Sequence, residues 1–161
     1  MIESTERLND SMFKEGNICP IYICNGKRYI FQEGESLHSY FLAKKGSDIV
    51  LCEEELWKMM VQISRALLFL KDNGFEHRHI NEEAIRRIND SSFKLIYHPS
   101  MNSVQSLIKS NKYEWYKFYL APEQLTNNNI EATNSCVFSM GAMILNIMNP
   151  LDFKRIIYSM K

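Results

Sequence analysis

An α+β fold is predicted for this chain by three stretches of its sequence. Two β-rich runs, Ile18 to Cys24 and Lys27 to Gln32, flank Asn25-Gly26, and Asn-Gly between such runs is a strong hairpin signal. A long amphipathic helix is expected across Glu53 to Lys71. A second helix, almost wholly apolar, is expected across Val137 to Met148.

Taken in order, residues 1–17 form a polar N-terminal segment, followed by the hairpin. Glu33-Gly34-Glu35-Ser36 breaks the second strand, and Leu37 to Lys45 can form a short helix ending near Gly46. In the long helix, Leu56, Met60, Ile63, Leu67 and Leu70 are spaced to line one face. Trp57, Val61 and Leu68 widen that face, so burial on more than one side is expected. Glu53, Glu54 and Glu55 suit the positive end of the helix dipole, and Asn73-Gly74 suits its C-terminal stop. Two short strands follow, Ala84 to Ile88 and Phe93 to Tyr97, around an Asn89-Asp90-Ser91-Ser92 turn. Residues 98–120 are irregular and aromatic-rich. The Val137–Met148 helix has so few polar positions that it should be nearly enclosed, and Asn149-Pro150 ends it.

Composition narrows the function classes. With 161 residues, the chain is long enough for one domain with a real core. Lys+Arg and Asp+Glu both number 19, so no net field attracts nucleic acid or an anionic membrane. Neither partner is expected. Met140 to Met148 falls far short of the roughly 20 apolar residues that span a bilayer, and Met1 to Asp10 lacks a signal-peptide core. Cys19, Cys24, Cys52 and Cys136 have neither zinc-site nor disulfide-framework spacing, so free thiols in a cytoplasmic or nuclear setting are expected.

Three motifs in sequence order carry a resemblance. Asn73-Gly74-Phe75-Glu76-His77-Arg78-His79-Ile80 is similar to a helix end followed by the H-R-D-L catalytic loop of protein kinases. Tyr119-Leu120-Ala121-Pro122-Glu123 resembles the end of their activation segment, and Ser135-Cys136-Val137-Phe138-Ser139-Met140-Gly141 the start of their central helix. The chain is therefore identified as resembling the protein kinase superfamily, in a truncated, degenerate, pseudokinase-like form. The resemblance implies a mostly helical large lobe with a small β-hairpin remnant of the small lobe. Residues 18–36 would be small-lobe strands and hinge, and 37–161 a partial large lobe.

Read through that resemblance, the catalytic positions are replaced. His79 stands where the aspartate base is expected, Asn81 where a lysine steadies the phosphate, and Ala84 where an asparagine binds magnesium. The D-F-G triplet falls on Tyr97-His98-Pro99, with no carboxylate to hold magnesium. No G-x-G-x-x-G occurs, and the phosphate loop and its partners are expected to be missing. The resemblance thus implies no enzyme activity and no ATP or magnesium cofactor. His77, His79 and His98 lack an acidic or cysteine ligand at suitable spacing, so no metal site is expected.

What is retained is structural. His77 is expected in the core, Ala121-Pro122-Glu123 as the segment anchor, and Gly141 in the central helix. Cys136 matches an aspartate that ties the loop to that helix. Two backbone hydrogen bonds, each about 1 kcal/mol net, are expected to be lost there, loosening residues 77–84. Arg78 would form an ordinary ion pair or meet a phosphorylated Ser106, Ser110 or Tyr113. Tyr113, Trp115, Tyr116 and Phe118 either form a partner surface or pack their segment down. Glu123 would be solvated or meet a partner's cation. Without later helices, a face of Val137–Met148 is expected to stay exposed, implying another protein or self-association. The functional expectation is a catalytically inactive kinase-like module that binds protein. The alternatives are a divergent Ser/Thr-type kinase whose small lobe comes from another chain, and a non-functional gene remnant.

Overall fold

A computed structural model describes residues 16–24, 27–30, 32–44, 51–77, 80–97, 118–126 and 132–149, with Phe153, Arg155 and Ser159. These residues form a mixed α+β structure. Strands β1 (Ile21–Cys24) and β2 (Lys27–Ile30) pair antiparallel, with Ile21 opposite Ile30 and Cys24 opposite Lys27. Asn25-Gly26 lies outside the described residues. A second sheet has the order β3-β4-β5, from Glu35–Ser36, Ile85–Asn89 and Ser92–Leu95, with both pairings antiparallel. Residues 17–19 run beside β5: Cys19 N–H donates to Leu95 O at 2.8 Å, and Leu95 N–H donates to Asn17 O at 2.7 Å.

Glu35-Ser36 therefore pairs with β4, where the sequence suggests only a break. Gly34 makes the approach possible. Its φ is +66°, and a Cβ there would lie 2.3 Å from Arg87 O, so only glycine fits. Ser36 then caps α1 (Leu37–Ala43), its hydroxyl accepting from Ser39 N–H at 3.0 Å.

Helix α2 (Glu53–Asp72) starts with the Glu55 carboxylate accepting from Cys52 N–H at 3.0 Å. It ends in a Schellman turn. Phe75 N–H reaches Leu70 O at 2.8 Å, Gly74 N–H reaches Lys71 O at 3.0 Å, and Gly74 takes φ +77°. The buried seam is Leu56, Met59, Ile63, Ala66 and Leu70, not the expected seam through Met60 and Leu67. Trp57, Val61 and Leu68 are 57%, 46% and 57% exposed. This helix is thus buried on one side only, because the sheet and the central helix both meet the same stripe.

Strand β5 alternates, with Phe93 and Leu95 buried between half-exposed Ser92 and Lys94. The turn before it is Asp90-Ser91 alone, so Asn89 belongs to β4 and Ser92 to β5. Gln62 of α2 clamps the hairpin, accepting from Phe93 N–H at 2.7 Å and donating to Ser91 O at 2.8 Å. Helices α3 (Pro122–Thr126) and α4 (Ala132–Met148) follow. Helix α4 begins five residues before Val137 and packs on α2, with Cys136, Met140 and Met143 in the common core. It is not nearly enclosed, since Val137, Phe138, Leu145 and Met148 are all exposed. No helix among the described residues is long and apolar enough to cross a membrane.

Candidate functional site

The loop after α2 is built from side chains that bond to backbone. His77 is buried, with Nε2 3.0 Å from Ile96 O. Its ring lies 6.2 Å from Tyr97, which in turn lies 6.0 Å from Phe75, giving a tilted aromatic column. Tyr97 is only 2% exposed. Arg78, His79, His98 and Pro99 lie outside the described residues, as do Tyr113, Trp115 and Tyr116.

Asn81 is buried and turns its amide oxygen onto the loop itself. That oxygen accepts from Glu83 N–H at 2.9 Å and Ala84 N–H at 3.0 Å. Ala84 is buried in its turn, and its carbonyl accepts from Ile96 N–H at 2.8 Å. Both positions are thereby committed to shaping the loop.

Glu82, which the sequence does not single out, is the loop's buried carboxylate. Its Oε1 accepts from the Tyr119 hydroxyl and from Asn146 Nδ2 at 3.5 Å. Asn146 Nδ2 also donates to the Tyr119 hydroxyl at 2.7 Å, while buried Glu82 Oε2 has no hydrogen-bond partner among the described residues. Burial is the largest influence on this carboxyl and raises its pKa. The bonds from Tyr119 and Asn146 and the charge of His38 pull the other way without overcoming it. The sequence signal for this cluster is Asn146, a lone amide inside an apolar run. Nothing in Glu82-Glu83 tells which of the two carboxylates turns inward.

The central helix supplies further ties. Cys136 is buried, and its thiol donates to His77 O. Burial pushes that thiol up to about 12, with the charge of Glu76 acting in the same direction, so it stays protonated and can donate. The loop is therefore tied to α4 here, by a thiol donor onto a carbonyl instead of a carboxylate accepting from N–H groups. Ser139 Oγ lies 2.6 Å from Tyr119 O, the nearer acceptor for its one proton, and 2.9 Å from Ser135 O. Gln124 closes the α3 start, its side chain accepting from Ala121 N–H at 3.0 Å. Phe118 and Glu123 are half-buried at this end of the segment, and Glu123 is itself engaged within the chain. Gly141 sits exposed on the outer side of α4.

Among the described residues, no group of three His, Cys, Asp or Glu is placed to hold a metal ion. A surface depression of about 530 Å³ is lined by Tyr40, Lys44, Glu55, Lys58 and Arg87, among others, and none of residues 77–84 contributes to it. Arg87 is already engaged there, 3.1 Å from Glu55 and with its guanidinium 4.4 Å from the Tyr40 ring centre. The arrangement around the loop can stabilise a fold and can accept or release a proton at Glu82.

Comparison with known proteins adds a relationship. The chain is 27% identical over 178 aligned residues to a probable serine/threonine-protein kinase of Dictyostelium discoideum. The alignment covers 96% of this chain but 26% of that protein, so the chain spans about a quarter of its relative's length. This likeness points to a kinase-like relationship. No known family model matches the chain.

Proposed function

We propose that this chain is a kinase-like module without phosphotransferase activity that works by binding another protein. The observation that carries the reading is the burial of Tyr97, stacked with Phe75 and His77. By the sequence resemblance, this position would hold the magnesium-binding aspartate, and a buried phenol ring offers no hard anionic oxygen to that ion. Asn81 and Ala84 support the same reading. The amide oxygen of the first is taken up by two backbone N–H groups, and the methyl of the second has no ligand atom. Phosphoryl transfer is almost entirely positioning and electrostatic stabilisation of phosphate, which needs groups free to face it.

A second reading rests on the relative, which is named a probable serine/threonine-protein kinase. In that reading the chain is a divergent kinase completed by another polypeptide. Thermal unfolding with and without ATP and magnesium separates the two. The expected result is an unchanged midpoint; a magnesium-dependent rise would sink the first reading, because any ligand binding only the native state must stabilise it.

A further inference from the structure

The outer face of α4 carries a pattern that matches itself. From Ala132 to Met148 the helix contains no Asp, Glu, Lys or Arg. Its solvent side presents Val137, Phe138, Gly141, Leu145 and Met148, of which Met148 is 68% and Val137 62% exposed. At 100° per residue, Val137, Gly141, Leu145 and Met148 fall on one stripe, with Phe138 at its edge. When two such helices are laid antiparallel about Met143, Phe138 of each copy meets Met148 of the other. Leu145 of each then faces Gly141 of the other, a side chain seated over the gap left by a missing one. A Cβ at Gly141 would touch nothing within 4 Å among the described residues, so this gap opens outward.

We propose that this face is an isologous, two-fold interface between two copies of the chain, with α4 packed antiparallel on α4. This rests on the protein-binding reading and names the partner. Charge favours a second copy over a charged partner. The stripe has nothing to pair with an ion, and the chain's formal net charge is +0, so two copies meet no long-range repulsion. Isologous contacts need a self-complementary patch, which the Gly141–Leu145 and Phe138–Met148 exchanges provide. Four exposed side chains and a glycine cover less than the ~800 Å² per partner of a standard interface. The dimer is accordingly weak, with a dissociation constant on the order of tens of micromolar or above.

Sedimentation equilibrium of the full chain across a concentration series tests this. The expected result is reversible dimerisation, weakened at least about tenfold by Leu145→Asp. Gly141→Ala is the sharper variant. It should raise thermal stability, because glycine is a poor helix former, and yet weaken the dimer by closing the gap. A wild-type chain that stays monomeric, or a dimer indifferent to both substitutions, overturns the proposal. In the monomeric case, labelling a Val137→Cys variant with maleimide tells whether the chain's own residues cover the face or leave it to a different protein. Magnesium-dependent ATP binding would sink the non-catalytic reading and leave this dimer measurement unaffected.

Discussion

Helix α2 surrounds exposed Trp57, Val61 and Leu68 with Glu53, Glu54, Lys58, Arg65, Lys71 and Asp72, whereas α4 has no charge from Ala132 to Met148. The contrast extends inward. Helix α2 holds the hairpin through Gln62, Lys58 and Glu55, which bond to Ser91, Phe93 and Arg87. Helix α4 sends Cys136, Ser139 and Asn146 to His77, Tyr119 and Glu82. One helix is a solvated scaffold with an apolar inner seam. The other gathers the polar ties of the candidate site on its inner side and leaves its outer side apolar. An apolar helix can thus be the chemical hub of a fold when Cys136, Ser139 and Asn146 all turn to one side.

The largest effects should come where the two helices are alike. Ile63→Ala in α2 and Met143→Ala in α4 both empty positions that are 0% exposed, and each should cost about 2–5 kcal/mol by urea unfolding. A small loss for Met143→Ala alone would mean that α4 is loosely seated. Polar truncations come next. Gln62→Ala strips Phe93 N–H of its acceptor and Ser139→Ala strips Tyr119 O of a donor, each costing about 1–3 kcal/mol. If only Ser139→Ala mattered, the gathering role of α4 would stand out more sharply.

Glu82→Gln should change the pH dependence of stability. The native carboxyl is raised above its ordinary value of 4.5, so its stabilising contribution is fully present below pH 4.5 and is lost as pH rises through the raised value. Over that window the wild type should weaken relative to Glu82→Gln. Unfolding curves at a series of pH values check this, and parallel curves would mean that Glu82 is not held neutral by its burial. The smallest effect is expected at the outer faces. Leu68→Ser should stay within about 0.5 kcal/mol in urea unfolding, and a larger loss would show that α2's outer stripe is covered.

Much of this fold was legible because periodicity and stop signals are local. The long helix, its Gly74 stop and the two strands around Asp90-Ser91 follow from spacing and turn chemistry. The choice of Met59 over Met60 was not legible, since both lie within one turn and the sheet decides which of them turns inward. Gly34 looks like a simple breaker in sequence because its near contact, Arg87, lies 53 positions away in the chain. At the site, the buried roles of Ala84 and Tyr97 depend on Ile96 and Phe75 meeting them in space. Glu82 stayed hidden because its partners Tyr119 and Asn146 come from two distant elements.

The protonated thiol of Cys136 gives the molecule a built-in clock. A neutral sulfur sealed between α4 and the His77 carbonyl cannot be alkylated in place, while Cys52 lies exposed at the start of α2. Modification of Cys136 must wait for α4 to lift from the loop. Its rate, set against that of Cys52, reads out how often that junction opens and at what free energy.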